Sequence, residues 1–467
     1  MKKIINSPAW VRDAVFYQIF PERFANGDPS NDPDWVLPWG TQPTPLSFMG
    51  GDLQGILDHL PYLKEMGFNA IYLTPIFAAL SNHKYDASDY LKIDPQFGDL
   101  ALFKKLVSDA HQQGIRVVLD AVFNHCGDGF WAFQDVMQHK EKSVYRDWFH
   151  LTAAEIEQTP PNYQTCGGAG FLPKLNLQNA DVRNYLFTVA EYWLKETGMD
   201  GWRLDVPWKA PLEFWREFRQ VVKKVNPQAY IVAESWRDGL YWLEGDTCDA
   251  VMNYPLRDYI LDYCARDAMD AEDYDHFVKR LLEQYADQAA VQLNLLGSHD
   301  TERILTSCNQ DVERAMLAFI CMFTAVGVPM VYYGDENGMS GKNDPDCRKC
   351  MQWDTAQWNH RIRALLKTLI ALRNEHPALR DGAYTTLLTF NGVYAYLRAD
   401  SNDKVLVVIN PRVLRSNVKI QIEGALQNVP VKWRDVLSGE VFSIQDGNLC
   451  IPTLAEKQGL ILIAETD

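Results

Sequence analysis

Short apolar runs recur along most of the chain, and longer amphipathic segments separate them. The runs are rich in β-branched and aromatic residues, and several are apolar throughout, as strands buried on both faces are. Eight of them follow one another between residues 14 and 334, in the order AVFYQIF, AIYLTPIF, IRVVLDAVF, GWRLDV, AYIVAES, AVMNYPL, VQLNLLG and VPMVYYG.

The segments between these runs have the periodicity of helices. In residues 99–114 one face is apolar and a glycine follows as a stop signal. Residues 182–198 also end on glycine, and residues 212–227 end on Asn-Pro, which cannot continue a helix. The apolar face of the first segment consists of Leu100, Phe103, Leu106, Val107 and Ala110, with Gly114 after it.

Eight strand–helix units in series predict an α/β fold of the (β/α)8 TIM-barrel type. A doubly wound open sheet is the structural alternative. No Gly-rich dinucleotide fingerprint follows the first strand, so the barrel is the better interpretation.

Two regions break the alternation. Residues 126–177 are irregular and rich in Gly, Pro and aromatics, which predicts a small insertion subdomain after the third strand. In residues 382–467 helical patterns disappear and runs such as VYAYLRA, KVLVVIN and GLILIAE predict a C-terminal antiparallel β-sandwich. The barrel would then comprise residues 1–125 and 178–381.

Composition and charge exclude several classes of partner. A formal net charge of −16 and a pI near 5.1 argue against nucleic acid and against anionic membrane surfaces. No window has the apolar length of a membrane span, and the first 20 residues lack the apolar core of a signal peptide. The nine cysteines are scattered, and the CxxC pair Cys347 and Cys350 has no second pair at zinc spacing. We therefore expect a cytoplasmic protein with reduced thiols.

Four of the predicted strands end on charged or imidazole side chains. Each alone is compatible with a solvated loop, but barrel enzymes carry their catalytic groups at this end of the strands. Together they would place carboxylates, imidazoles and a guanidinium around one pocket. The residues are Asp120, Asn124 and His125 after the third strand, Arg203 and Asp205 after the fourth, Glu234 after the fifth, and His299 and Asp300 after the seventh.

Paired carboxylates suit the cleavage of glycosidic bonds. Arg203 and Asp205 point to the same side of their strand because side-chain direction repeats every two residues, so Arg203 could hold this aspartate ionised. A second carboxyl group could protonate the leaving oxygen, and a separation of roughly 5–5.5 Å would predict retention of configuration. Histidines beside the sugar hydroxyls could strengthen their hydrogen bonds in the transition state.

The segments DAVFNH, GWRLDV, VAESW and LLGSHDT resemble the four signature regions of the α-amylase family of glycoside hydrolases, in order and on the expected strands. The resemblance implies that Asp205 is the nucleophile, Glu234 the general acid/base and Asp300 the third carboxylate. It also implies a sugar subsite lined by Arg203, His125 and His299, with Tyr85 of HKYDASDY as an aromatic platform.

Two further segments narrow the resemblance. LPKLN, residues 172–176, is similar to the MPKLN marker of neopullulanases, cyclomaltodextrinases and maltogenic amylases. NDPDCRKCMQWD is similar to the same group and implies that Asp344 and Arg348 bind the neighbouring glucose on the non-reducing side, although NDPD alone could be a surface turn. The expected activity is retaining hydrolysis of α-1,4-glucosidic bonds in maltooligosaccharides, cyclodextrins or related cyclic α-gluco-oligosaccharides.

One loop carries a cluster of hard oxygen ligands of the kind that Ca²⁺ takes. By composition alone it would be an Asn/Asp/Gly turn. It resembles the calcium loop after the first barrel strand in the same group of enzymes, which implies a structural Ca²⁺ with no part in catalysis. The candidate ligands are Asn26, Asp28, Asn31, Asp32, Gly50 and Asp52.

The chain departs from these relatives at two places. They usually begin with another β-sandwich domain that helps form a dimer, but VFYQIFPERF already stands at residues 15–24, so we expect that domain to be absent. A homodimer is compatible with the sequence but not derivable from it. After the nucleophile the chain has DVPWK instead of DVANE, which places Trp208 and Lys209 on the leaving-group side, and Trp236 could stack there too.

These departures leave two alternatives open. One is an α-glucan transglycosylase or an α-1,6-acting relative. The other is an inactive carbohydrate-binding homologue, which ranks low because all three carboxylates are present.

Overall fold

The computed structural model describes residues 7–237, 239–426 and 430–465. Parts of the predicted segments therefore lie outside the described residues: 1–6 and 238 in the barrel, and 427–429 and 466–467 in the C-terminal unit. Within the described ranges, no helix has the length and apolar character needed to cross a membrane.

Among the residues described up to position 332 there are ten strands, and eight of them form one parallel sheet. Around this sheet the order is β8-β7-β6-β5-β2-β1-β10-β9, and a parallel bridge between Met252 and Leu293 joins its two edges, which closes the barrel. The strands are β1 (Phe16–Ile19), β2 (Ala70–Leu73), β3 (Phe77–Ala79), β4 (Ala87–Ile93), β5 (Arg116–Ala121), β6 (Gly201–Leu204), β7 (Tyr230–Ala233), β8 (Ala250–Val251), β9 (Leu293–Leu295) and β10 (Val328–Tyr332). The predicted (β/α)8 barrel is confirmed, and each of the eight apolar runs contains one barrel strand.

Thirteen α-helices accompany the described strands, and their ends follow local sequence signals. Asp99 caps α4 by accepting a hydrogen bond from the Leu102 N–H, and Gly198 ends α6 in the left-handed conformation. The helices are α1 (Pro21–Phe24), α2 (Leu53–Asp58), α3 (Leu60–Met66), α4 (Leu100–Gln112), α5 (Trp131–His139), α6 (Ala180–Thr197), α7 (Leu212–Val225), α8 (Tyr254–Cys264), α9 (Ala271–Tyr285), α10 (Ile304–Ser307), α11 (Val312–Thr324), α12 (His360–Glu375) and α13 (Ala378–Asp381).

Two separate apolar layers hold the barrel together. Inside it, side chains such as Phe16, Val118 and Leu295 form one apolar cluster, so the barrel is a packed core. Outside it, the helices bury their apolar faces against the other side of the strands. The carboxyl and guanidinium groups singled out in the sequence lie where the strands end, at the mouth of this packed barrel.

Two excursions rise from the mouth of the barrel. β3 and β4 form an antiparallel hairpin after β2, and its loop carries Tyr85. Residues 126–177 contain α5 and short 3-10 turns, and an antiparallel bridge joins His125 to Lys174. Both excursions therefore bring their polar side chains to the edge of the mouth.

The last part of the chain is an antiparallel sheet that folds over its own core. Its strand order is β11-β12-β13-β18-β15-β16-β17-β14, and Val408, Ile420, Trp433 and Ile451 pack in its interior. The strands are β11 (Ala383–Phe390), β12 (Val393–Ala399), β13 (Lys404–Asn410), β14 (Arg415–Gln421), β15 (Lys432–Asp435), β16 (Val441–Gln445), β17 (Asn448–Leu454) and β18 (Gln458–Ala464).

Candidate active site

A buried guanidinium joins three carboxyl groups at the mouth of the barrel. Nη1 of Arg203 lies 3.0 Å from both oxygens of Asp120 and 3.0 Å from Oδ1 of Asp205. Nη2 of the same side chain lies 3.2 Å from Oε2 of Glu234. All four side chains are almost fully buried. The carboxyl groups of Asp205 and Glu234, which the sequence places on different strands, therefore share one cation.

The register of three neighbouring strands produces this arrangement. Asp120 on β5 pairs with Arg203 on β6, and Arg203 pairs with Val232 on β7, two residues before Glu234. Since side chains repeat direction every two residues, Arg203 and Asp205 point to the same side.

Two donors fix the carboxyl group of Glu234. The Val206 N–H donates to Oε2 at 2.9 Å, and the indole Nε1–H of Trp236 donates to Oε1 at 2.7 Å. Val206 has a left-handed backbone (φ 35°), which turns the chain immediately after Asp205 and aims its N–H at Glu234. Each carboxyl oxygen has two lone pairs, so Oε1 can still carry a proton.

Tyr85, His299 and Asp300 form a second group of interacting side chains beside the Arg203 cluster. The Tyr85 hydroxyl lies 2.6 Å from Nε2 of His299 and 2.9 Å from Oδ2 of Asp120, and the Tyr85 and His299 rings are stacked with centroids 5.5 Å apart. Nε2 of His299 also lies 3.2 Å from Oδ2 of Asp300. The structure thus brings the third carboxylate and the aromatic platform next to the Arg203 cluster.

Burial governs the protonation of this cluster. It raises the pKa of the Asp205 carboxyl well above its ordinary range; Arg203 opposes that rise, and the neighbouring carboxylates add to it. Burial likewise raises the pKa of Asp120, against the guanidinium of Arg203 and the hydroxyl groups of Tyr72 and Tyr85. Burial therefore favours the protonated forms of Asp205 and Asp120, whereas the guanidinium of Arg203 favours their ionised forms.

The histidines of the site are neutral for the same reason. Burial lowers the pKa of His125 to about 4 and that of His299 well below its usual value, and Arg348 and Arg203 lower the latter further. In the described residues Nε2 of His125 has no hydrogen-bond partner although it is buried. This nitrogen is therefore free to contact a bound molecule.

Arg348 and Asp344 extend the site away from the carboxylate cluster. Nη2 of Arg348 lies 3.3 Å from Oδ1 of Asp300, and Nη1 lies 3.2 Å from Oδ2 of Asp344. Both line a cavity of about 450 Å³, in the range of small-ligand sites, together with His83 and Phe171. Asp344 is thus tied to Arg348 as well as lying in the NDPD turn.

Trp208, Lys209 and Trp236 lie on the other flank. Trp208 and Lys209 belong to a 3-10 turn, Pro207–Lys209, directly after the β6 segment, and both are exposed. Trp236 is half-exposed, but one face of its ring is stacked on Tyr254 at 4.0 Å and its N–H is bonded to Glu234. It therefore orients Glu234, a contact that sequence reasoning missed.

The candidate calcium ligands come together in one loop cluster. Nδ2 of Asn26 donates to both oxygens of Asp32, and Nδ2 of Asn31 donates to Asp52, so both amides turn a carbonyl oxygen the other way. These oxygens, Oδ1 of Asn26 and of Asn31, are buried without a hydrogen-bond partner in the described residues. Two orphaned amide oxygens fit a hard cation.

The remaining candidate calcium ligands differ in how well they suit a bound ion. Gly50 has φ 81°, and a Cβ there would fall 2.2 Å from Oδ1 of Asp32, so only glycine leaves room at this point. The Asp28 carboxylate accepts from Ser30, and Asp52 accepts from the N–H groups of Gly27, Asp28 and Gly55. Among the described residues no group of three or more His, Cys, Asp or Glu side chains is placed to hold a metal ion. Amide and carboxylate oxygens would have to act together.

Four polar residues of the site have no role that the sequence predicts. They are Asp120, which the sequence places only at the end of its strand, and Gln18, Tyr72 and His83. Gln18 bonds His299, Tyr72 bonds Asp120, and His83 lines the cavity beside Arg348. The available signal was a polar group inside an otherwise apolar barrel strand, as Gln18 is in AVFYQIF.

Comparison with known proteins agrees with this geometry. The model of the α-amylase catalytic domain matches residues 18–382. The chain belongs to the α-amylase family. It is an α-glucan glycoside hydrolase, and the family match covers the barrel together with the residues inserted after β5.

Named relatives place it within one branch of the α-amylase family. A cyclomaltodextrinase of a Bacillus species is 51% identical over 413 residues, 87% of this chain and 74% of the relative. Neopullulanase 2 of Thermoactinomyces vulgaris is 45% identical over 467 residues, 98% of this chain and 79% of the relative. The Arthrobacter globiformis cyclic α-maltosyl-(1→6)-maltose hydrolase, solved with its cyclic substrate, is 42% identical with a TM-score of 0.91, covering 99% of this chain and 100% of that one. These similarities support the group that LPKLN indicates.

Proposed function

We propose that this enzyme hydrolyses α-1,4-glucosidic bonds in maltooligosaccharides and in cyclodextrins or related cyclic α-gluco-oligosaccharides, with retention of configuration. The observation that carries the proposal is the Arg203 guanidinium shared by Asp205 and Glu234, which brings a nucleophile and a proton donor to one place. The names of the relatives support the substrate class.

The proposed reaction has two displacements. Oδ of Asp205 attacks the anomeric carbon, the glucosidic bond breaks, and Glu234 gives its proton to the departing oxygen. A glycosyl ester of Asp205 remains. Glu234, now ionised, takes a proton from water, whose oxygen attacks the same carbon and releases Asp205 as a carboxylate. Contact with Nη1 of Arg203 at 3.0 Å favours the ionised Asp205 that the first step needs.

The surrounding residues would bind the sugar that is cleaved. Tyr85 would supply a flat ring beneath it, and Nε2 of His125 and Nε2 of His299 would reach its hydroxyl groups. Asp300, beside His299, would accept from a sugar hydroxyl and strengthen that bond as positive charge develops on the ring.

The flanks would bind the neighbouring sugars. Arg348 and Asp344 line the cavity on the Asp300 side and suit hydroxyl groups of the preceding glucose. Trp208 and Lys209 are exposed next to Asp205 and suit stacking and hydrogen bonding on the leaving-group side. These two residues replace the Asn-Glu pair of the usual motif, so they would influence which linkages and acceptors are used.

We further propose that Asn26, Asp28, Asn31, Asp32, Gly50 and Asp52 hold a structural Ca²⁺. The two unpartnered amide oxygens carry this proposal. The ion would tie the segment after β1 to the segment before α2, and no step of the reaction needs it.

One product analysis tests the substrate proposal. The enzyme is incubated separately with maltotriose, β-cyclodextrin, pullulan and cyclic maltosyl-(1→6)-maltose, and the products are separated by chromatography. Ring opening of β-cyclodextrin and cleavage of maltotriose support the proposal. Cleavage of only the α-1,6 bonds of pullulan, or longer products formed from maltotriose without hydrolysis, would overturn it.

A further inference from the structure

Gln18 is a fully buried amide at the bottom of the active site. It lies on β1, whose four residues are all buried, and its Nε2 is 2.8 Å from Nδ1 of His299. Its Oε1 has no hydrogen-bond partner in the described part of the chain. Burying an amide costs free energy unless a hydrogen bond replaces the contacts with water that it loses, so the bond to His299 is the one that compensates here.

The direction of the hydrogen bond between Gln18 and His299 follows from the groups that contact the opposite ring nitrogen of His299. Arg203 lies 3.0 Å from both oxygens of Asp120 and holds that carboxylate as an acceptor. Burial raises the pKa of the Tyr85 phenol, so Tyr85 keeps its proton and donates it to Asp120 at 2.9 Å. The Tyr85 oxygen, 2.6 Å from Nε2 of His299, can then only accept, which requires a hydrogen on Nε2.

His299 is neutral, so a hydrogen on Nε2 leaves Nδ1 as an acceptor. Gln18 offers the amide N–H group at this point, which completes a consistent set of donors and acceptors. Among the described residues, the charged or titratable groups that face His299 are Tyr85, His83, Arg203, Asp300, Arg348 and, at its carbonyl group, Cys347.

We propose that Gln18 is a positioning residue that fixes His299 as the Nε2–H tautomer, so that this hydrogen faces the Tyr85 oxygen on the side of the pocket where the sugar hydroxyl groups would bind. The inference rests on the proposed function for the sugar contact, but the tautomer itself does not. Gln18 acts through His299 and touches no reacting atom.

Replacing the amide with a carboxylate inverts this arrangement. In Gln18→Glu the carboxylate can only accept, so a neutral His299 must place its hydrogen on Nδ1 and lose it from Nε2. At low pH the imidazolium carries both hydrogens, and Nε2–H is restored. The pKa of His299 rises in this variant because the carboxylate favours the cation. Activity of Gln18→Glu should therefore fall as pH rises through that pKa, in addition to the alkaline decline that the general acid Glu234 gives to both proteins.

Gln18→Met is the matched control because it keeps the length of the side chain without charge or hydrogen bond. We expect a loss of about tenfold in kcat/KM for Gln18→Met, with the shape of the pH profile unchanged. Gln18→Glu should match wild type most closely at acidic pH and lose at least tenfold more towards pH 8. If Gln18 served only in packing, kcat/KM would fall by the same factor in both variants at every pH.

The tautomer is read directly by ¹⁵N NMR of the enzyme labelled at histidine, with His299→Gln identifying the resonance. Wild type should show Nδ1 without hydrogen and Nε2 with hydrogen, and Gln18→Glu at pH 8 should show the reverse. The same tautomer in both proteins, or pH profiles that differ only by a constant factor, would overturn the inference. Because the NMR result needs no turnover, it stands apart from failure of the proposed substrate.

Discussion

Nη1 of Arg203 lies 3.0 Å from Oδ1 of Asp205, the residue two positions further along the same strand segment. The same nitrogen contacts Asp120, and Nη2 contacts Glu234. A guanidinium can serve three carboxyl groups because its N–H groups form a rigid, planar fork. One cation thus sets both the position and the charge of the two groups that are proposed to react.

Arg203→Lys tests the need for that fork. A lysine keeps the charge but cannot contact all three carboxyl groups with fixed geometry, so kcat should fall at least 100-fold. Steady-state kinetics with β-cyclodextrin provide the measurement. Arg216→Lys, a change on α7 at a half-exposed ion pair with Asp246, is the matched control and should keep full activity. Near-normal kcat in Arg203→Lys would show that charge alone suffices.

Trp208 and Trp236 should have separable effects. Trp208→Ala removes an exposed ring beside the leaving-group side, so the ratio of products from maltotriose should change more than the rate. Trp236→Phe keeps the ring on Tyr254 but removes the N–H that donates to Glu234, so kcat should fall about tenfold with product ratios unchanged. Chromatography and initial rates measure both, and identical product ratios for Trp208→Ala would show that this ring does not contact the sugar.

Buried neutral histidines predict a loss of stability in mild acid. Burial lowers the pKa of His83 to about 4, compared with about 6.5 in an unfolded chain. Between these values the unfolded state binds more protons, so the folded state loses stability as pH falls from about 6.5 towards 4, by up to about 1.4 kcal/mol per pH unit for this histidine.

The melting temperature of His83→Gln should therefore approach that of wild type, or exceed it, as the pH is lowered from 7 to 4.5. Melting temperatures at several pH values measure this difference, in which the carboxylates common to both proteins largely cancel. His360→Gln, at an exposed position on α12, is the control and should run parallel to wild type. A parallel curve for His83→Gln would contradict the predicted shift.

The candidate calcium loop can be tested by stability alone. Ca²⁺ at a hundredfold excess over its Kd should stabilise the folded state by about 2.7 kcal/mol, which raises the melting temperature by roughly 3 °C over the chelated protein. Asp32→Ala should abolish the effect, because this carboxylate holds Asn26 with its free oxygen turned inward. Asp34→Asn, exposed in the same loop, should retain it. Equal melting with and without Ca²⁺ would leave the loop as an ordinary turn.

The sequence predicted the barrel because its strands are buried on both faces and carry a strong apolar signal. Every run contains its strand, although some strands are shorter than the run that predicts them, as β8 (Ala250–Val251) is within AVMNYPL. The hairpin of β3 and β4 had no such signal, because its second strand, ASDYLKI, alternates irregularly between buried and exposed residues. Local pattern therefore identifies the strands that build the core and misses those that cover the mouth.

The sequence likewise predicts the positions of the candidate site residues but not the contacts between them. Asp205, Glu234 and Asp300 could be predicted because each stands where a barrel strand ends. The contacts among them could not, because Arg203 reaches Asp120 and Glu234 across strands that are distant in the chain. Trp236 illustrates this: its spacing from Glu234 predicts a sugar contact, but it could not show that one face of the ring is stacked on Tyr254 or that its N–H holds the acid.

The most direct test of the account is to trap the glycosyl ester on Asp205. Glu234→Gln is incubated with α-maltosyl fluoride, whose fluoride leaves without a proton, and the protein is then digested for mass spectrometry. Without its general base the ester should accumulate, so we expect the peptide containing Asp205 to carry one maltosyl unit, and Asp205→Ala to carry none and lose several orders of magnitude in kcat. Turnover of the fluoride with Asp205 unlabelled and the label on another residue, or full activity of Asp205→Ala, would contradict the central claim.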